Sequence, residues 1–322
     1  MEIVRTTREI EALIEELNNP IQCDQALLAL IGEGKAAVPA LVEFLRTAKP
    51  SSLPQARLLA VEGLGLLKGD DALDALIAVA TERLAEITDP VVRLAEESVA
   101  SRAALALADF SDPRALETLL RLAPGKPLVG VAEAFEKLRD RRAVPHLVRW
   151  LEDDFVAEPA ARAIRAFGRA AMPSLLESLN ERRRQHGIET RLSQRRRWRI
   201  LEILDVLLEG DEISVLEAFL GDPVEEVRLK AANAILNHGN PDQQRRAFKI
   251  GLRLLDSHER DIRAAAEELL RGHLAAGPDL LEEEIQKRRA AGESEHIIFP
   301  RESALALLVR IQRQTNRSAE PS

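Results

Sequence analysis

The sequence predicts an all-α fold, a right-handed α-α superhelix of stacked helix pairs, and three observations predict it. One apolar phrase recurs along the chain. Small residues at helical spacing recur between its copies. Aromatic residues make up only 3% of the 322 residues, and Tyr is absent. Large single cores use aromatics to fill volume between distant elements, whereas a thin two-layer stack is filled well by Leu, Ala, Val and Ile. Repeat arrays grow without closing, so a length that would suit two globular domains also suits one array.

The phrase runs Ala-Val-Pro-Ala-Leu-Val-Glu-Phe-Leu from Ala37 to Leu45, returns as Ala-Val-Pro-His-Leu-Val-Arg-Trp-Leu from Ala143 to Leu151, and again from Ala171 to Leu179. Versions without the proline begin at Ala72 and Ala115. Successive copies lie roughly 30–45 residues apart, the spacing of helix-pair repeats. Pro39, Pro145 and Pro173 fall in a first helical turn, where the missing N–H costs nothing and the fixed φ favours nucleation. Beyond them, Val144, Leu147, Val148 and Leu151 stand at i, i+3, i+4, i+7 and form one apolar stripe. Leu41, Val42 and Leu45 repeat it in an earlier copy; Leu175, Leu176 and Leu179 repeat it in a later one. Helices this short must bury such a stripe against neighbours.

A second phrase supplies the neighbours: Arg57, Ala60, Gly63 and Leu64; then Arg228, Ala231, Ala234 and Ile235; then Arg263, Ala266 and Leu269. Small residues three apart let helix axes approach closely. Turns at Asp89-Pro90 and Gly221-Asp222-Pro223 introduce these helices. Within pairs, Gly69-Asp70-Asp71 and Ser111-Asp112-Pro113 form the links, with Asp as the expected N-cap.

The alternation, clearest from Asp222-Pro223-Val224-Glu225-Glu226-Val227-Arg228 through Ile235, resembles HEAT repeats of the bacterial phycobilisome-lyase-like class. The resemblance covers the chain from about Thr7 to Gln312 and implies a HEAT-repeat solenoid of about eight helix pairs with a C-terminal capping helix at Pro300 to Gln314. Residues 1–314 are read as a single solenoid and residues 315–322 as a disordered polar tail. The irregular stretches are Pro124 to Gly130, Arg182 to Gln194 and Ala290 to Phe299.

Chemistry is sparse. There is no glycine-rich phosphate loop, no Gly-x-Ser-x-Gly elbow and no His-Glu-x-x-His helix. The six histidines, His146, His186, His238, His258, His273 and His296, lack metal-ligand spacing. Deoxyhypusine hydroxylase, a HEAT-like enzyme family, holds two irons with several His-Glu pairs; this chain offers His258-Glu259 alone. HEAT-like DNA glycosylases use a basic concave face, and a net charge of −8 argues against them and against nucleic acid generally. The acidic runs at Glu152-Asp153-Asp154 and Glu282-Glu283-Glu284 read as solvated faces. No catalytic residue, metal or cofactor is expected. The lone Cys23 fits a reducing compartment. No apolar run reaches the length of a membrane span, and Met1-Glu2-Ile3-Val4-Arg5 lacks a signal-peptide core. The chain therefore reads as cytoplasmic.

Two surface features carry the functional reading. On the helix from Ala143, His146 and Arg149 point away from the stripe and Trp150 lies at its border, with Arg121 in the equivalent column one repeat earlier. The HEAT resemblance implies that this ridge lines the concave face. Trp beside Arg suits a protein–protein contact; the alternative is that Trp150 folds down as boundary packing, like Phe44 in the matching position. The second feature is the densest positive run, Arg182, Arg183 and Arg184, then Arg195, Arg196 and Arg197. It could collect carboxylate or phosphate through forked contacts. Cations at 182–184 would also favour the dipole at the end of the helix from Pro173, whereas those at 195–199 open a helix where the dipole disfavours them. The leading expectation is a non-enzymatic scaffold binding another protein along its concave face, with an anionic ligand or acidic segment at the arginine-rich connection. The alternatives are a phycobilin-lyase-like enzyme or accessory, and phosphate-backbone binding through Arg182–Arg199.

Overall fold

The computed structural model describes residues 6–293 and 304–319, and among these it contains seventeen α-helices and one two-stranded hairpin. The chain divides into two compact units, residues 1–171 and 172–322.

In the first unit, α1 (Thr7–Glu16) precedes α2 (Cys23–Gly32), α3 (Val38–Thr47), α4 (Gln55–Leu67), α5 (Asp70–Ala80), α6 (Pro90–Leu107), α7 (Pro113–Leu122), α8 (Val129–Leu138), α9 (Val144–Trp150) and α10 (Ala157–Phe167). The even-numbered helices α2, α4, α6, α8 and α10 lie side by side in one layer, while α3, α5 and α7 pack together in a second. The stripe of α9 faces inward as its spacing requires: Val144, Leu147, Val148 and Leu151 are all buried. Leu41 and Leu45 are buried on α3 in the same way.

Helix starts follow the local chemistry. Pro39, Pro90, Pro113 and Pro145 all stand in the first turn. Asp89 and Asp112 cap α6 and α7 by accepting from backbone amides two residues on. At α5 the cap is Gly69, in a left-handed conformation with φ 104°, and Asp70 sits inside the first turn instead of capping it.

Small residues set how closely the first layer packs. Ala100, Ala103 and Ala104 of α6 are fully or almost fully buried. The tightest approach is at Gly130, whose amide donates to Ser101 Oγ at 2.7 Å. A Cβ placed there would overlap the Ser101 carbonyl oxygen, so α8 can enter beside α6 only on glycine.

The second unit contains α11 (Met172–Asn180), the hairpin β1 (Arg184–Gln185) and β2 (Ile188–Glu189), α12 (Arg191–Leu207), a run of 3-10 turns (Gly210–Gly221), α13 (Glu225–His238), α14 (Pro241–Leu254), α15 (Arg260–Gly272), α16 (Pro278–Ala290) and α17 (Ala304–Ala319). α13 packs against α12, the 3-10 run, α14 and α15, and α17 packs on α15 and α16. Arg310 of α17 forks onto Glu267 of α15 at 2.8 and 2.7 Å. The expected capping helix is thus present from Ala304 and stays helical beyond Gln314 to Ala319. The last three residues of the expected tail, and His296, lie outside the described residues.

The arginine that follows Val or Ile near the start of three of these helices has a defined role. Arg93, Arg228 and Arg263 each donate to the carbonyl six residues back, that of Ile87, Asp222 and Ser257 respectively. Each guanidinium thereby clasps the turn that introduces its own helix, satisfying backbone groups that no helix can reach.

The glycine constraint predicts that Gly130→Ala lowers stability by about 1–3 kcal/mol through overpacking, whereas Gly32→Ala, at an open position, does not. Urea unfolding of the two variants separates them, and equal midpoints would contradict the close approach.

Candidate functional site

The ridge of the first unit is built from the ends of α7 and α9. Arg121 is exposed on the last turn of α7, and its Nη2 donates to the neutral hydroxyl of buried Thr118 at 3.4 Å. Arg149 is exposed too, and its Nη2 donates to the carbonyls of Ala123 and Pro124 at 3.2 and 3.0 Å. These oxygens follow the end of α7, where a cation is favoured by the helix dipole and by unpaired carbonyls. His146 is half-buried. Burial, then the Arg149 charge, pushes its imidazole below the ordinary histidine value, so the ridge presents two cations and a neutral ring at neutral pH.

Trp150 departs from the surface reading. It is 2% exposed and stacks on Phe135 of α8 with centroids 6.2 Å apart and 24° between planes. Phe44, at the matching position of α3, is only half-buried. The difference lies in the neighbour: α8 offers a fully buried aromatic for the indole to cover. The fit leaves the indole N–H buried without a hydrogen-bond partner among the described residues, a cost that the packing of the ring has to offset. Of the expected ridge, Arg121, His146 and Arg149 stay accessible and Trp150 does not.

The arginine-rich connection is divided in the same way. His186 and Gly187 have φ of 52° and 81°, the two left-handed residues that a two-residue hairpin turn needs. Arg184 pairs across it with Glu189, and Gln185 with Ile188. Residues 182–188 are all exposed. Arg182 reaches Asp222 at 2.7 Å, and Arg183 reaches Glu181 at 3.1 Å. Arg195 is half-buried.

Arg196 and Arg197 are fully buried, which removes both from any contact surface. Arg196 donates to the Glu181 carbonyl at 2.8 Å, just past α11. Arg197 donates through Nε to the Leu179 carbonyl at 2.9 Å, through Nη1 to Glu189 at 3.0 Å, and through Nη2 to Asp222. Its guanidinium also lies 5.9 Å from the centroid of the Phe219 ring. The dipole objection to cations opening α12 is met here, because two of them serve the carboxyl end of α11. Sequence reasoning gave that role to Arg182–Arg184 and missed Glu189 and Asp222 as the buried counter-charges. Asp222 was visible only as a turn residue, and nothing local marks its partner 25 positions away.

Trp198 is half-buried, with Arg199 at 5.2 Å and Lys230 at 5.7 Å over its ring. His258 and Glu259 are exposed in the turn before α15. Among the described residues, no group of three or more His, Cys, Asp or Glu is placed to hold a metal, and no helix is long and apolar enough to cross a membrane.

Comparison with known proteins agrees with the repeat architecture. Residues 99–123, which run from the second half of α6 through α7, match the family described as PBS lyase HEAT-like repeat. The match coincides with one helix pair and its Asp112-Pro113 turn. The matched stretch is thus one HEAT-like repeat within the chain. No curated relative matches the chain. Among solved structures it is similar to human deoxyhypusine hydroxylase in complex with glycerol, at 21% identity over 82% of this chain and 95% of that one, with a TM-score of 0.31. It is also similar to the complex of CpcE and CpcF of phycocyanin lyase from Nostoc sp. PCC7120, at 20% identity over 75% and 94% of the two chains, with a TM-score of 0.34.

Two stability outcomes follow from the buried groups. Trp150→Ala is expected to cost about 3–5 kcal/mol in urea unfolding, the range for an aromatic removed from a packed site; a loss below 1 kcal/mol would return the residue to the surface. Arg197→Met leaves the buried Glu189 carboxylate without its cation and Asp222 with Arg182 alone, and is expected to cost about 3–5 kcal/mol. Arg184→Met, on the exposed strand, is expected to leave the midpoint unchanged, and equal losses would contradict the burial.

Proposed function

We propose that the protein is a non-catalytic scaffold that binds another protein through the exposed edges of its helix pairs, with Arg121, His146 and Arg149 in the contact. The supporting observation is the distribution of charge partners. Arginines elsewhere tie neighbouring helices together: Arg102 to Glu62, Arg114 to Asp74, Arg142 to Glu117, Arg162 to Glu133 and Glu136, and Arg246 to Glu217. Arg121 is exposed, and among the described residues its one hydrogen bond is to a hydroxyl. A cation without an internal carboxylate gains most from one supplied across an interface, where a charge-assisted contact also sets orientation. His146, neutral and half-buried, adds a ring edge that can be covered with little desolvation.

The ridge is tested by recovering partners from the native host with tagged wild-type protein and with Arg121→Glu. Loss of a specific partner at an unchanged thermal midpoint is the expected result. Recovery identical to wild type would remove the ridge from the function.

A further inference from the structure

We propose that the hairpin between α11 and α12 is a preformed docking finger for an acidic protein segment carrying apolar side chains. This rests on the reading of the chain as a protein-binding scaffold but uses different residues.

The finger is rigid at its root. Arg183 donates its amide to Ser193 Oγ at 3.1 Å, Thr190 donates its amide to the Arg183 carbonyl at 2.9 Å, and Ser193 Oγ donates to Glu189 at 2.8 Å. Glu189 in turn is held by buried Arg197. The left-handed pair His186-Gly187 fixes the turn. Ordering this segment has therefore already been met by folding, so a partner does not have to supply it.

The outer part is left unsatisfied in two complementary ways. Ile188 is 73% exposed and Leu192 51%, large apolar side chains that folding has not covered. Arg184 and Arg191 are exposed and take part in no ion pair among the described residues. Glu189 is the sole acid between Arg182 and Ser193, and its carboxylate is turned to Arg197 and Ser193. The finger thus presents cations and hydrocarbon beyond its root, where Glu181 pairs with Arg183. Pairing is only two residues long on each strand, so recognition falls to side chains and not to strand addition.

A protein segment fits better than an extended polyanion. The whole chain carries a net charge of −8, which opposes a nucleic-acid duplex or an anionic bilayer along its length. A short segment meets chiefly the local field, because charges beyond about 8–10 Å are screened at ordinary salt. The exposed Ile188 and Leu192 also have no counterpart on a phosphate backbone.

The test is fluorescence anisotropy of a short fluorescein-labelled peptide alternating glutamate and leucine, titrated with the full-length protein. Saturable binding is expected. It should weaken roughly tenfold, the equivalent of 1.4 kcal/mol, in Arg184→Glu/Arg191→Glu and also in Ile188→Ser/Leu192→Ser. The circular dichroism of both variants should match wild type, since all four side chains are exposed. Absence of saturable binding, or binding indifferent to either pair, overturns the finger. So does equal or tighter binding of an all-glutamate peptide, of an oligonucleotide or of phosphatidylserine vesicles, and so does hairpin-dependent self-association in sedimentation. Arg121→Glu should leave the peptide titration unchanged. If the titration fails while Arg121→Glu still loses its partner, the finger falls and the scaffold stands; the reverse result removes the ridge alone.

Discussion

Arg197 is withdrawn from solvent completely, and the second unit is arranged around satisfying that charge. An unpaired guanidinium in a protein interior costs several kcal/mol even after relaxation. Its acceptors come from separate places: the carbonyl of Leu179 near the end of α11, the carboxylate of Glu189 on β2, and Asp222 in the turn that introduces α13. The hairpin, the start of α12 and the Asp-Pro turn must all be in position before the charge can be buried. Geometry at one side chain therefore fixes the register of three elements. The first unit contains an analogous arrangement. Arg57, 4% exposed, bonds Glu96 of α6 at 2.7 Å and Glu82, after α5, at 2.6 Å, and Glu96 also accepts from the Ser51 amide. In both units an apolar stripe brings helices together, and a buried ion pair specifies which way they settle.

What could be read from the sequence was what local rules govern. The stripe of α9, the first-turn prolines and the Asp112 cap all follow from helical period and from the unpaired groups at helix ends, so they appear where they were expected. Trp150 could not be placed this way, because its burial is decided by Phe135 on another helix. The two arginine runs look alike in composition, yet Arg184 is exposed and Arg197 is buried. The distinction depends on Asp222, far along the chain, and no spacing rule reports it. The hairpin was hidden for a different reason. Two-residue strands have no measurable period, and His-Gly is a less familiar turn than Asn-Gly. Of the candidate site, Arg121 and Arg149 were legible as outward residues, but the clasp of Arg149 on the end of α7 was not.

Arginine carries most of the specificity in this molecule, in three distinct settings. Between helices it forks onto carboxylates at half-exposed sites, where individual contributions are small and the effect is chiefly one of alignment. In the interior it forms ion pairs whose loss is expensive on either side. At Arg121, Arg184 and Arg191 it remains outward, without a carboxylate partner among the described residues. One residue type thus serves cohesion, register and recognition, and only the surrounding acceptors tell the three apart.

The turn clasp of Arg93, Arg228 and Arg263 has a consequence for how such a chain can change over time. Each clasp closes within its own repeat, using a carbonyl six positions back, and asks nothing of residues elsewhere. A segment carrying one can be duplicated, deleted or moved with its entrance turn already braced. The buried pairs of Arg57 and Arg197 reach into other elements and do not transfer in this way. The molecule is thus assembled from portable parts held in register by a few fixed ones, and divergence should accumulate in the number of repeats sooner than at those two charges.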